Sequence, residues 1–128
     1  MSSQFVVQLD NRTGALAGLT RVLAARGIDI RGISGGGAGE RAYAVLTTDD
    51  DAATREALRA GGYPFVEGDT IVVAVEDRPG GLAAVTEKLA AAGVDIRSVL
   101  FVSARDGNVE TAFAVDDVAR ARKALGLD

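Results

Sequence analysis

The sequence predicts an α+β fold made of two βαββαβ units, with antiparallel sheets and the helices on one face of each sheet. Three observations predict it: an internal repeat, a hydrophobic period that alternates between strand and helix spacing in the same order in both copies, and glycine-containing turns. Residues 5–33 align with residues 71–99, a shift of 66 positions, and 14 of the 29 aligned residues are identical. The chain is therefore a duplication, with predicted units at residues 1–68 and 69–128.

The first strand and the first helix are the clearest elements of each copy. Residues 5–9 and 71–75 are rich in β-branched side chains and are bounded by polar turns, which is typical of strands. Apolar side chains then recur three and four positions apart, the spacing of one face of an amphipathic helix. They are Leu16, Leu19 and Leu23 in the first copy, and Leu82, Val85 and Leu89 in the second. Gly27 and Gly93 follow where each helix is expected to end.

A second strand and a hairpin come next in both copies. The second strand is predicted over residues 28–34 in the first copy and residues 94–103 in the second. The glycine-rich residues 35–39 and the sequence of residues 106–108 are typical of hairpin turns that lead into a third strand. Each copy is therefore expected to continue as a hairpin before its second helix.

The remaining elements differ between the copies. Residues 43–45 of the third strand are expected to correspond to residues 113–115, and second helices are predicted over residues 51–60 and 117–125. Residues 63–66 are a candidate fourth strand in the first copy, whereas the second unit lacks an obvious last strand. With right-handed crossovers, this order packs both helices of a unit on one face of its sheet, which is the ferredoxin-like arrangement.

Composition excludes several kinds of active site. The 128 residues are 48% hydrophobic, enough for a globular core without disulfides. Cysteine is absent, which excludes disulfides, thiolate metal sites and cysteine nucleophiles, and histidine is absent as well. Because histidine is the commonest general base and a frequent metal ligand near neutral pH, we expect a protein that is not an enzyme and that uses no metal or cofactor.

The charge balance argues against polyanionic partners. The net charge is −4 and the isoelectric point is about 4.8. Domains that bind nucleic acid or anionic membranes usually present a basic surface, so neither partner is expected. The first residues contain no signal-peptide pattern, and no apolar run approaches the ~20 residues needed to span a bilayer. These observations favour a soluble, cytoplasmic protein.

The best-defined motif lies between the first strand and the first helix of each copy. It comprises residues 10–16, Asp-Asn-Arg-Thr-Gly-Ala-Leu, and residues 76–82, Glu-Asp-Arg-Pro-Gly-Gly-Leu. A helix N-terminus offers unpaired backbone N–H groups and a positive dipole end, and glycine lets a carboxylate approach closely. Loop carboxylates or amides, and the carbonyls of residues 28–30 or 94–96, offer acceptors for an ammonium group. The pattern is therefore suited to a zwitterion.

Other interpretations of these residues stay open at the sequence level. Aspartate, asparagine, threonine and glycine before a helix are also ordinary capping and turn residues. Arg12 and Arg78 are candidates for binding a ligand carboxylate, or for forming ion pairs with Asp29 and Asp95 respectively. The acidic run at residues 49–51 suits a helix start, with a hard-cation site as the alternative.

The same residues resemble the ACT domain family, small amino-acid-sensing modules usually attached to biosynthetic enzymes. In this family, a strand is followed by Asn or Asp with a basic residue, then by Pro-Gly, and then by a small residue and a Leu that open a helix. A Gly-Ile/Val-Asn/Asp-Ile turn comes next, and residues 27–30 and 93–96 match this turn. The resemblance extends over nearly the whole chain in two tandem copies. It implies a ligand at the interface between two copies, between the first loop of one and the second strand of the other.

The motif and the resemblance together give one set of candidate ligand-binding residues. In the first copy they are Asn11, Arg12, Gly14, Ala15, Leu16, Asp29 and Ile30, and in the second copy Asp77, Arg78, Gly80, Gly81, Leu82, Asp95 and Ile96. The expected ligand is a free amino acid and the expected role is allosteric regulation. The expected assembly is a homodimer, with a separate biosynthetic enzyme as a further candidate partner.

Three other functions compete with amino-acid sensing for a chain of this pattern. An acylphosphatase of this fold needs an arginine loop with several phosphate-binding amides and a partner asparagine, but these loops are short and Asn11 is replaced by Asp77. An RNA-recognition module stacks bases on aromatic side chains of the central strands, whereas Tyr43 and Phe113 stand alone among small residues. The third rival is a ligand-free module that dimerises or docks on a separate metabolic enzyme.

Overall fold

The computed structural model describes residues 3–127 and contains six strands and four helices in the order βαββαβαββα. The chain forms two compact units, one ending at Glu67 and the other beginning at Gly68. The predicted fold class is confirmed, since each unit has a βαββα core with an antiparallel sheet.

The first unit contains three complete strands and two helices. Their bounds are β1 Ser3–Asp10, α1 Ala15–Ala25, β2 Ile30–Ala38, β3 Arg41–Thr48 and α2 Asp51–Ala60. Strand β3 lies between β2 and β1 and is antiparallel to both. Alternate residues of β1, namely Phe5, Val7 and Leu9, are buried with the helix residues Leu19, Leu23 and Leu58. Both helices therefore cover the same face of this sheet.

The second unit repeats this arrangement. Its elements are the later part of β4 Phe65–Glu76, α3 Gly81–Ala91, β5 Ile96–Arg105, β6 Asn108–Val115 and α4 Val118–Ala124. Strand β6 lies between β4 and β5 and is antiparallel to both. The core contains Ile71, Val73 and Phe113 from the strands, packed with Leu89 and Ala121 from the helices. Both helices of this unit therefore cover the same face of its sheet.

The predicted fourth strand of the first copy is not a separate element. Strand β4 begins at Phe65 and runs without interruption through the predicted first strand of the second copy, for 12 residues in all. Within the first unit, the Phe65 ring packs 5.9 Å from the Phe5 ring, centroid to centroid. After α4, the described residues of the second unit contain no further strand, as the sequence predicts.

The prediction of a hairpin turn at residues 35–39 is wrong, because β2 continues through Ala38. A Cβ atom on Gly35 would lie 2.8 Å from the carbonyl oxygen of Tyr43, and one on Gly37 would lie 2.7 Å from Nδ2 of Asn11. These glycines therefore allow close packing within the strand. The turn itself is formed by Gly39, whose φ of +64° favours glycine, and by Glu40.

The expected correspondence of residues 43–45 with residues 113–115 is also wrong. Phe5 pairs with Leu46, and the equivalent Ile71 pairs with Phe113, so Phe113 occupies the position of Leu46. The second hairpin contains one residue more than the first, and the register shift between Phe101 and Ser103 accommodates it. The repeat therefore continues with a shift of 67 positions after the hairpin.

A bidentate ion pair joins α2 to the start of β4. Nε and Nη2 of Arg55 each donate to a carboxylate oxygen of Glu67 at 2.7 Å. The hydrogen bond from Arg55 is the largest cause that lowers the pKa of Glu67, and burial partly opposes it. Because the folded state lowers this pKa, the pair stabilises the fold at neutral pH, and that stabilisation is lost as the pH falls through the folded pKa.

We expect Glu67→Gln to reduce the free energy of unfolding near neutral pH. As the pH is lowered, the free energy of unfolding of the variant should fall less than that of the wild type. The difference from the wild type should be largest above the ordinary glutamate pKa of about 4.3 and should shrink at lower pH. Urea unfolding followed by circular dichroism at a series of pH values measures it. Adding Arg55→Gln to this variant should cause little further loss of unfolding free energy. A difference between variant and wild type that does not diminish at low pH would contradict this role of the ion pair.

Candidate ligand-binding site

The two helices that follow the repeated motif begin differently from the other two. Gly14 precedes α1 with a φ of +88°, Gly80 precedes α3 with a φ of +86°, and neither helix has a side-chain cap or an acidic residue in its first turn. In contrast, the Asp50 side chain caps α2 and the Asp117 side chain caps α4. Side-chain capping therefore occurs at α2 and α4, whereas no side chain of the repeated motif caps α1 or α3.

A polar cavity of about 380 Å³ lies in the first unit beside the start of α1. It is bounded by the β1–α1 loop on one side and by residues 61–64, which connect α2 to β4, on the other. Its lining residues are Gln8, Leu9, Asp10, Arg12, Gly14, Ala15, Gly18, Arg41, Gly61, Gly62, Tyr63 and Pro64. This volume is within the range of small-molecule pockets.

Three charged side chains line the polar cavity. Nε of Arg12 lies 3.9 Å from a carboxylate oxygen of Asp10, and both side chains are largely exposed. Arg41 lies opposite Asp10 in the β1–β3 register, and no carboxylate of the described residues lies within 4.0 Å of its guanidinium. The cavity thus offers one carboxylate for an ammonium group and two guanidinium groups for carboxylates, with only one loose ion pair between them.

A second cavity of about 360 Å³ lies between α1 and β2 and is largely apolar. Leu16, half exposed, and Ile33 line it together with the glycines at residues 35–37. Asn11 also borders this cavity, but its Nδ2 donates to the carbonyl oxygen of Gly39 at 2.9 Å. The Asn11 side chain therefore holds the β2–β3 turn against the loop.

The structure brings five of the seven candidate residues of the first copy to these two cavities. Arg12, Gly14 and Ala15 line the polar cavity, and Asn11 and Leu16 line the apolar one. Asp29 and Ile30 line neither. The Asp29 carboxylate pairs with Nε of Arg31 at 3.0 Å, and Ile30 packs against the core.

In the second copy, the loop residues contact other residues of their own unit. Arg78 pairs with Glu76 and also donates to the carbonyl oxygen of Pro79 at 3.3 Å. A Cβ atom on Gly81 would lie only 2.0 Å from the Glu76 carbonyl oxygen, so packing within the unit requires this glycine. The Asp77 backbone N–H donates to the carbonyl oxygen of Gly107 at 2.9 Å, as the Asn11 backbone N–H does to Glu40 in the first copy, so this bond is common to both loops.

The other second-copy candidates lie away from any described cavity. Gly80 has open space where a side chain would be, and Leu82 is 39% exposed at the start of α3. The Asp95 backbone N–H donates to a carboxylate oxygen of Asp116 at 2.9 Å, and Ile96 packs against the core. Both cavities described above lie in the first unit, which therefore supplies the candidate site.

The ion pairs predicted between Arg12 and Asp29, and between Arg78 and Asp95, are wrong. Each arginine instead pairs with an acidic residue two positions earlier at the end of its own strand, Asp10 or Glu76. Asp29 and Asp95 lie after the ends of α1 and α3, and their carbonyl oxygens accept from the backbone N–H groups of Asp49 and Asp116, which directly follow β3 and β6.

The acidic run at residues 49–51 is accounted for by hydrogen bonds. Asp49 accepts from the backbone N–H of Asp29 at 3.0 Å, Asp50 caps α2, and Asp51 accepts from the backbone N–H of Ser3 at 3.0 Å. Within residues 3–127, no group of three or more potential ligand side chains is arranged to hold a metal ion. The helix-start interpretation therefore explains these residues.

Several residues of the polar cavity were not predicted from the sequence. Arg41 lies on β3, and Tyr63 follows α2, both far along the chain from the motif. The pairing of Asp10 with Arg41 across β1 and β3 is the observation that brings Arg41 to the site. A correct hairpin register, with the turn at residues 39–40, would have indicated it.

Comparisons with known proteins agree with the repeat. The ACT domain model matches residues 3–60 and again residues 70–126. No curated protein gives a significant sequence match. In the described part of the chain, every helix is too short or too polar to cross a membrane.

Solved structures share the fold of the chain. Protein BT0572 from Bacteroides thetaiotaomicron superposes with a TM-score of 0.76 at 21% identity, covering 98% of this chain and 86% of that one. The ligand-free regulatory subunit of aspartate kinase from Thermus thermophilus gives a TM-score of 0.69 at 19% identity, covering 98% and 91%. The corresponding Thermus flavus subunit gives 0.68 at 19% identity, covering 98% and 90%.

Proposed function

The chain belongs to the ACT domain family, of which it contains two copies, and we propose that it is a cytoplasmic regulatory module that binds a free amino acid and catalyses no reaction. The observation that carries this proposal is the start of α1. Its first turn has no side-chain cap and borders a polar cavity that contains Asp10, Arg12 and Arg41.

The polar cavity supplies what both α-groups of an amino acid require. The α-carboxylate binds Arg12 and the N-terminal turn of α1, where Gly14 leaves open space. The ammonium group binds the Asp10 carboxylate, which is only loosely held by Arg12 at 3.9 Å. Charge-assisted hydrogen bonds of this kind are stronger than those between neutral groups, so a small ligand is held by few contacts.

We assign the ligand to the β1–α1 loop of the first unit, and we propose that a second chain of the homodimer completes the site, as the family resemblance implies. The second loop has the same motif, but Arg78 is bound to Glu76 and to the Pro79 carbonyl oxygen, and Gly81 is packed against the Glu76 backbone. One amino acid per chain is therefore expected. Asn11 and Leu16 shape the loop from the side of the apolar cavity.

Regulation requires a partner that responds to the bound state. We propose that the chain forms a homodimer and acts on a separate biosynthetic enzyme. Phe101 and Val102, at 62% and 58% exposure on β5, support association, because contiguous exposed apolar side chains mark interaction surfaces. The Thermus thermophilus protein with the same fold is itself a regulatory subunit, which agrees with regulation of another chain.

A thermal-shift screen with the twenty amino acids tests the proposed function. A ligand at about a hundred times its dissociation constant should add about 2.7 kcal/mol to the free energy of unfolding. That corresponds to an increase of several degrees in Tm for a domain of this size. If no amino acid raises Tm, the chain is a ligand-free interaction module, and the amino-acid hypothesis fails.

A further inference from the structure

The polar cavity carries more positive charge than a neutral amino acid needs. One guanidinium and one carboxylate would match the two α-groups, but Arg41 adds a second guanidinium to the cavity lining. The adjacent N-terminal end of α1 adds a further partial positive charge. The site is therefore complementary to a ligand with a net negative charge.

On the premise of the proposed function, we infer that the bound amino acid is dicarboxylic and that Arg41 binds its side-chain carboxylate. Arg41 belongs to a paired strand, since it lies opposite Asp10 in the β1–β3 register. No carboxylate of residues 3–127 lies within 4.0 Å of its guanidinium. A guanidinium is well suited to bidentate binding of a carboxylate, which gives both affinity and orientation.

The second unit shows that the fold does not require this arginine. Glu76 corresponds to Asp10, and the residue opposite Glu76 in the β4–β6 register is Asn108. The same strand pairing therefore forms with a neutral residue at the position of Arg41. The strand pairing therefore does not require the Arg41 charge, which leaves this guanidinium available for the role toward a ligand that we infer.

The composition of the cavity argues against an apolar ligand side chain. Gln8 and Tyr63 line it beside the three charged residues, and apolar lining is concentrated in the other cavity, between α1 and β2. An apolar side chain in the polar cavity would separate these groups from water without giving them hydrogen-bond partners, which costs affinity. A carboxylate gives Arg41 the partner that it lacks.

Isothermal titration calorimetry with acid and amide pairs tests the inference. L-aspartate is compared with L-asparagine, and L-glutamate with L-glutamine, on the full chain at low ionic strength. We expect one acid to bind about tenfold or more tightly than its amide, as a charge-assisted hydrogen bond predicts. Arg41→Asn should weaken binding of that acid about tenfold and leave binding of the amide within about twofold.

Two further variants make the test specific. Arg41→Lys keeps the charge and should retain part of the preference, whereas Asn108→Arg in the second unit should change neither affinity. The Tm of each variant without ligand verifies folding. If amides or apolar amino acids bind as tightly as the acids, or if the preference survives Arg41→Asn, the inference is wrong but the proposed function stands. If no amino acid binds, the proposed function itself fails.

Discussion

Gly18→Leu is expected to abolish amino-acid binding and to leave the chain folded. Gly18 lies in α1 and lines the polar cavity, and a Cβ atom there would lie 3.7 Å from the Tyr63 hydroxyl, which is an ordinary contact. The rest of a leucine side chain would fill the space that we assign to the ligand. Affinity should fall by at least about a hundredfold, or about 2.7 kcal/mol, measured by calorimetry with the amino acid found in the screen.

Stability should not fall in this variant, because leucine is a better helix former than glycine, by slightly less than the difference of about 0.8–1.0 kcal/mol that separates alanine from glycine. The second unit has Ala84 at the equivalent position of α3, so a side chain is compatible with this helix. The matched control is Gly36→Ala beside the apolar cavity, where an added Cβ would meet no atom within 4 Å. Unchanged affinity in Gly18→Leu, or lost affinity in Gly36→Ala, would place the ligand elsewhere.

Phe113→Ala should produce the largest loss of stability. Phe113 is fully buried at the centre of the second core, between β4 and β5 on the central strand β6. Removing a buried phenylalanine side chain costs about 3–5 kcal/mol, since it combines lost transfer free energy with a cavity. The free energy of unfolding from guanidinium denaturation measures the effect.

The first unit supplies the control for this substitution. Leu46 occupies the position equivalent to Phe113, so leucine is compatible with the same strand pairing. Phe113→Leu should therefore cost less than about 1.5 kcal/mol, because it keeps most of the apolar volume. A loss in Phe113→Ala no greater than in Phe113→Leu would contradict the packing described for this core.

Local patterns were sufficient to predict most of the elements. Helix α2 covers the predicted residues 51–60, because its apolar spacing and its Asp50 cap act within one segment. The glycines of β2 were misinterpreted as a turn, because their reason lies in tertiary contacts, with the Tyr43 carbonyl and the Asn11 side chain. A strand glycine and a turn glycine look alike in sequence when the neighbouring strand is unknown.

The candidate site was predictable only in part for a similar reason. The β1–α1 loop is a contiguous motif, so Arg12, Gly14 and Ala15 were found from the sequence and line the polar cavity. Arg41 and Tyr63 reach the same cavity through the strand register and the end of α2, which no local pattern specifies. The ion pair of Arg12 was misassigned, since the competing Asp10 is two residues away and needs no tertiary contact.

Amide chemical shifts measured during a titration show where on the chain the amino acid binds. If the ligand binds in the polar cavity, the largest changes on adding it are expected at Gly14, Ala15 and Gly18 and at residues 61–63, with Gly80 unaffected. Changes concentrated at residues 33–37 or in the second unit, with none at Gly14 or Gly18, would contradict binding in this cavity.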